Sequence, residues 1–329
     1  MGERNLAYHL AKFLEERHSI SRMRPRDLLN IQAIRGLWRQ RPDVIHYLTG
    51  PRAQSFVVLR ILKFIGHCRV SLVSAVRPVI TENRLRLAGR IKPDLILAQS
   101  LNHIQVFERN GFKAVFFPNG VDANKFRPVN RQQKNNLRRK HNVPLDKFVV
   151  LHTGYIVRRR GVGIFARLAR ESEICVVLVS ATSWIKPDPE LLAELEEAGC
   201  KFIIEFLPNI EEIYQLSDCF VFPGAPQKAK AGQFEDLNQS PSIEIPLCVL
   251  EALACNLTVV SRKYGGLGDM FPQEKGIIFA DDDEQILEAI RQLRSSPSLT
   301  RPAELIEKYR WETITARLEQ IYSGLLTEK

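Results

Sequence analysis

Glu251 lies in a segment, Pro241 to Phe271, whose order of residue types suits the binding of an anion beside a sugar. Pro246 has the fixed φ and missing N–H of a first helical position, and Leu247, Val249, Leu250, Leu253 and Ala254 supply an apolar stripe behind it. A helix is therefore expected from Pro246, with its first amides free to meet an anion. Glu251, about one and a half turns further on, is placed to accept hydrogen bonds from sugar hydroxyls. Leu257 to Ser261 then reads as a strand, and Gly265, Gly266 and Gly268 open a second turn that suits close approach to a ligand. A second group follows Gly154: Arg158, Arg159 and Arg160 form a cationic turn at a strand end, and Gly161 leads into an expected helix Val162 to Arg170. Such a turn suits phosphate, through the cations and through the helix N-terminus. The plainer readings are an exposed helix glutamate and a solvated arginine turn. Apolar neighbours at Leu250, Ala252 and Leu253 and the strand-end position of the arginines weigh against them.

These residues need a scaffold, and the apolar pattern supplies one. Strands are expected at Asp43–Tyr47, Val70–Ser74, Asp94–Ala98 and Ala114–Phe117, with helices near Ala53–Phe64, Glu82–Ala88 and Leu101–Asn110. The second half repeats the scheme with strands at Phe148–Thr153, Cys175–Val179, Phe202–Glu205, Cys219–Phe222, Leu257–Val260 and Gly276–Phe279. Strands separated by helices imply parallel sheets with both faces covered, hence an α/β chain of two doubly wound, Rossmann-like domains. The polar segment Asn130 to Pro144 is the expected linker, which divides the chain into residues 1–129, a linker at 130–145, a second domain at 146–310 and a last helix at 311–329. Trp311, Ile314, Leu318, Ile321 and Leu325 give that last helix one long apolar stripe, which can pack on its own domain or cross back to the first. Pro223 to Pro241 is a long connection of the kind that is functional or disordered.

Charge divides the chain in the same place. Met1 to Leu145 holds 27 Lys and Arg against 9 Asp and Glu, a net +18, whereas Asp146 to Lys329 holds 20 against 28, a net −8. A basic half attracts nucleic acid, anionic lipid or a phosphorylated acceptor, or simply keeps the protein in solution. Its cations are spread over helices and loops without zinc-finger spacing or a run of stacking aromatics, which disfavours nucleic acid. No apolar run approaches the roughly 18 to 20 residues of a membrane span. The start lacks a basic region followed by an apolar core, so no signal peptide is expected. Six cysteines without paired C-x-x-C spacing read as reduced core residues of a cytoplasmic protein.

Four motifs, PNGVDANKFRP at Pro118–Pro128, HTGYIVRRRGV at His152–Val162, PLCVLEALACNLTVVS at Pro246–Ser261 and the terminal YRWETITARLEQIY, together resemble the retaining glycosyltransferases of the family-4 type. The resemblance runs over nearly the whole chain and implies the GT-B fold, two Rossmann-like domains facing a central cleft. It implies transfer of a sugar from a nucleotide diphosphate donor, held mostly by the C-terminal domain; no metal or other cofactor is expected, since the chain shows no clustered carboxylates or histidines. Donor contacts then fall to Gly154, Arg158, Arg159, Arg160, Gly161, Glu244, Glu251 and the amides of Leu247 and Cys248, and the base to the loop Phe206, Leu207 and Pro208. Tyr155 stands where relatives usually carry the first phosphate-binding cation. Ile243 stands where they carry the first of two glutamates, with Glu244 one residue off.

On the acceptor side many relatives have a histidine after the third strand, a stretch that here reads SLVSAVRP. Arg77, beyond that strand, and His46, at the end of Asp43–Tyr47, are the catalytic candidates, although a lone histidine at a strand end is more often structural. Relatives also begin with an apolar strand and a glycine-rich turn before the helix that resembles GERNLAYHLAKFLEERHSI, so a central strand of the first sheet is expected to be missing and activity weak or lost. The leading expectation is glycosyl transfer to a lipid-linked, or else polysaccharide, acceptor by a cytoplasmic protein peripheral to the inner membrane face, drawn there by the basic half. A catalytically weak binding or partner subunit is the alternative, and a nucleic-acid-binding protein a weaker one.

Overall fold

The computed structural model describes residues 2–48, 50–76, 80, 82–180, 187–224, 244–271, 276–296 and 302–329. In the first half, helices α1 (Gly2–Leu14) and α2 (Ile31–Gln40) precede β1 (Val44–Tyr47), α3 (Ala53–Ile65), β2 (Val70–Ala75), α4 (Glu82–Leu87), β3 (Leu95–Ala98), α5 (Leu101–Arg109) and β4 (Ala114–Phe116). The four strands form a parallel sheet in the order β1-β2-β3-β4. All six residues of β2 and all four of β3 are buried, as expected of strands covered on both faces; β3 is an unbroken apolar run, and β2 buries Ser71 and Ser74 among its apolar residues. β1 is an edge strand with every residue half-buried, and among the described residues no strand precedes it.

The second half begins with α6 (Arg131–Lys140), inside the segment expected as a linker. Asn130 caps it through Gln133 N–H, and Arg138 is buried, bonding the Leu216 carbonyl at 2.9 Å and Asp218 at 2.6 Å. The polar sequence hid this helix because its one buried residue is an arginine whose guanidinium finds acceptors. There follow β5 (Phe148–Thr153), α7 (Ile164–Ala169), β6 (Ile174–Val179), α8 (Pro189–Glu197), β7 (Lys201–Ile203), α9 (Glu211–Leu216), β8 (Cys219–Phe222), α10 (Leu247–Ala254), β9 (Thr258–Ser261), α11 (Leu267–Met270), β10 (Ile277–Phe279), α12 (Asp283–Ser295), α13 (Pro302–Leu305) and α14 (Trp311–Thr327). The sheet order is β10-β9-β8-β5-β6-β7, all parallel. Its order reverses between β5 and β8, where a doubly wound sheet opens a crevice beyond the strand ends.

Helix α14 crosses back to the first half. Trp311 and Leu318 are fully buried in the same cluster as Leu6 and Leu10 of α1, Tyr322 meets His46, and Arg317 donates to the Phe116 carbonyl at 2.8 Å. The motif Pro118–Asp122 is the seam that this helix closes. The backbones of Val121 and Arg310 pair, and a side chain at Gly120 would stand 2.5 Å from the Trp311 ring. No helix among the described residues is long and apolar enough to cross a membrane.

Candidate active site

The crevice at the β5/β8 reversal holds a hydrogen-bonded chain of three side chains from three elements. Thr153 ends β5, Tyr214 lies on α9 and Glu251 on α10. The Tyr214 hydroxyl donates to Glu251 Oε2 at 2.8 Å and lies 2.8 Å from Thr153 Oγ1. A phenol has one proton, so with that proton on the carboxylate Thr153 is the donor of the second bond. Tyr214 is held by an edge contact with Phe126 at 5.5 Å and by stacking on Phe220 at 5.9 Å. Burial pushes the Glu251 carboxyl up to about 6, against the Tyr214 bond and the charge of Lys125, which lower it. Tyr214 went unseen in the sequence because its aromatic body satisfies the apolar period of α9; its hydroxyl betrays itself only through partners remote in the chain.

The phosphate loop is partly as expected. Gly154 has φ 158° and Gly161 φ 72°, and a side chain at Gly161 would approach the Gly224 carbonyl to 2.9 Å. Arg160 is half-buried with its guanidinium 4.9 Å from the Tyr155 ring centre. Tyr155 thus takes the place of a cation by stacking on one. Arg159 is exposed. Arg158 turns away from the crevice, paired with Glu194 at 2.9 Å and Asp188 at 3.7 Å. The helix expected at Val162–Arg170 is shorter, six residues from Ile164, and Gly161 ends a short 3-10 turn rather than beginning it. A cation the sequence reading passed over, Arg262 beyond β9, lies 3.6 Å from where a Gly161 side chain would be and pairs with Asp283 at 2.6 Å.

Pro246 is the N-cap rather than the first helical residue, so α10 starts at Leu247 and the amides of Leu247 and Cys248 occupy its open first turn. Cys248 sits within reach of Glu251 and Arg160; burial, reinforced by the Glu251 charge, pushes its thiol up to about 12, so it stays protonated. Glu244 is carried into the crevice from the other side, its Oε2 3.4 Å from Nδ1 of His103 on α5. His103 also meets Ser100 Oγ at 3.0 Å, and burial lowers it to about 4, so the ring is neutral at pH 7. This histidine escaped the sequence reading because it follows β3, one strand later than the SLVSAVRP stretch.

The second glycine turn is filled by protein. A side chain at Gly265 would meet the Glu244 carbonyl at 2.0 Å and one at Gly266 the Gln99 carbonyl at 1.8 Å, whereas Gly268 has open space. Gly266 thus lets the two halves touch, and Gly265 lets the turn pack on the segment that carries Glu244. The same contact is bonded by Asn119 Nδ2 to the Ile245 carbonyl at 3.0 Å, by Glu244 N to the Val76 carbonyl at 3.1 Å, and by Leu101 N to Asp269 Oδ2 at 2.7 Å. In the expected base loop Phe206 is 74% exposed, Leu207 packs on the core, and the Pro208 carbonyl accepts from Lys125 Nζ at 3.1 Å. Both ring nitrogens of His46 are engaged by protein: Nδ1 meets Tyr322 at 2.7 Å, Nε2 meets Ser74 at 2.8 Å, and burial lowers it to about 3. Arg77 and Ile243 lie outside the described residues. Among the described residues no three His, Cys, Asp or Glu cluster as metal ligands.

Residues 147–296 match the family model for glycosyl transferases group 1. Among curated proteins, a phosphatidylinositol N-acetylglucosaminyltransferase subunit of Arabidopsis thaliana is 21% identical over 71% of this chain and 47% of its own length. The human protein of the same name is 26% identical over 64% of this chain and 41% of its own. The chain therefore spans less than half the length of these relatives. Among solved structures, Alr3699/HepE of Anabaena in complex with UDP superposes with a TM-score of 0.73 at 17% identity, covering 98% of this chain and 96% of that one. The chain has the GT-B fold, and its second half is similar to the glycosyl transferases group 1.

Proposed function

We propose that the protein is a retaining glycosyltransferase of the family-4 type, which moves a sugar from a nucleotide diphosphate donor to a lipid-linked acceptor. The observation that carries the reading is the Thr153–Tyr214–Glu251 chain at the sheet's reversal, next to Arg160 and the open first turn of α10. Glu251 accepts from the donor ribose, and Tyr214 and Thr153 hold that carboxylate in one orientation. Arg160 and the amides of Leu247 and Cys248 meet the departing diphosphate, where fixed donors stabilise developing charge without a metal. Glu244, steadied by His103, faces the sugar, and the loop Phe206–Pro208 reads the base. The lipid acceptor is supported by the name of the two curated relatives and by the +18 first half, which also favours a cytoplasmic protein peripheral to a membrane.

A second reading, a catalytically weak binding or partner subunit, is favoured by Tyr155 in place of a cation and by the engagement of Glu244 with His103. Calorimetric titration with UDP-, GDP- and ADP-sugars tests both. Binding of one donor class that is lost in Glu251→Ala supports a donor site, and turnover with that donor separates the enzyme from the non-catalytic partner. If none of the three nucleotide sugars binds, both readings fall.

A further inference from the structure

Residues 28–81 hold eight Lys and Arg and a single acid, Asp43. Helices α2 and α3, which dominate this stretch, also carry large apolar side chains on their outer faces. On α3, Val57, Ile61 and Phe64 recur at spacings of four and three, and are 46, 51 and 81% exposed. They form one stripe opposite the buried Phe56, Leu59 and Leu62. On α2, Trp38 is 51% and Ile31 69% exposed. The two helices meet where Leu37 packs at Gly66. Arg35 and Arg39 on α2 and Arg60 on α3 are exposed, and among the described residues none has a carboxylate partner.

We propose that the outer face of α2 and α3 is a docking surface for an anionic lipid bilayer, with Trp38, Ile61 and Phe64 entering the interface and the arginines meeting lipid phosphates. Charge selects this occupant. A protein surface presents both signs, and a helix pair that offers exposed cations and almost no acid is complementary to a plane of uniform negative charge. Apolar side chains ringed by arginine are the composition of helices that lie in the headgroup region. The proposal deepens the lipid-acceptor reading, because it places the chain on the surface that such an acceptor occupies, but it needs no glycosyl transfer to be true.

The full chain is sedimented with vesicles of phosphatidylcholine alone and of phosphatidylcholine with phosphatidylglycerol, over a salt series. It is expected to bind the anionic vesicles and to release as salt rises. Ile61→Ser with Phe64→Ser is expected to weaken partitioning by about tenfold or more, and Arg35→Gln, Arg39→Gln and Arg60→Gln together to flatten the salt dependence. Both sets change exposed side chains, so the thermal midpoint and the donor titration should match those of the parent chain. Failure of the parent chain to bind anionic vesicles overturns the proposal. So do variants that bind like the parent, or a parent dimer that the serine variant splits, since the face then belongs to a second copy. Donor binding without vesicle binding sinks this surface and leaves the transferase reading standing; vesicle binding without donor binding does the reverse.

Discussion

In the proposed donor site, the ionisation that binding would require of Glu251 and the ionisation that folding prefers are opposed. Ribose hydroxyls donate, so the carboxylate form is the one that holds a nucleotide, yet burial raises this carboxyl from its ordinary 4.5 to about 6. Two consequences with opposite signs follow. Nucleotide affinity should fall as pH drops through about 6, read by calorimetry across a pH series, and Glu251→Gln should remove that dependence; an affinity flat from pH 5 to 8 in the parent would exclude Glu251 as the acceptor. Because the folded pKa is raised, the stability contributed by the protonated form is full below about 4.5 and is lost as pH rises through about 6. Tyr214→Phe removes the donated bond at 2.8 Å, which should raise the Glu251 pKa further and weaken nucleotide binding by roughly tenfold, about the value of one hydrogen bond to a charged group. Glu251 and Arg160 stand out in the sequence because one follows the helix start at Pro246 and the other the glycine-marked end of β5. Tyr214 and His103 do not, since one polar atom on an otherwise buried ring leaves no periodic trace.

Among the elements, the strands were the most legible and the helix ends the least. Apolar runs such as Leu95–Ala98 and Ile174–Val179 admit few alternatives once both faces are covered. The six residues of α7 and the polar α6 were misjudged because their boundaries depend on tertiary partners, Gly161 against Gly224 and Arg138 against Asp218. The glycines of the PNGVD and GGLG segments separate along the same line. Gly120 and Gly266 are small so that protein can approach, whereas Gly268 has open space around it. Gly120→Ala should therefore lower the thermal midpoint by several degrees, since a methyl 2.5 Å from the Trp311 ring forces α14 or the seam to shift. Gly268→Ala, on a helix with nothing within 4 Å, should leave it unchanged or slightly raised. Equal midpoints for the two variants would mean that the seam repacks at no cost.

The whole molecule joins a basic half to an acidic one, and a few directed bonds fix how they meet. Leu101 N, at the start of α5, has no acceptor within its own helix and finds Asp269 of the other half at 2.7 Å. Asp269 serves as a capping group supplied in trans, in the position where a negative charge also suits the helix dipole. The halves could not come this close without Gly266, whose missing side chain admits the Gln99 carbonyl. Since Glu244 rides on the strap that these contacts hold, loosening them should disturb the crevice as well as the seam. Asp269→Ala should raise hydrogen exchange at the Leu101 and Asn102 amides by about tenfold, one capping interaction's worth, while the buried amides of β3 keep their protection. The thermal midpoint should move little, because the fully buried Trp311 and Leu318 of α14 still tie the halves together. Unchanged exchange at Leu101 would show that Asp269 is a bystander in the contact between the halves.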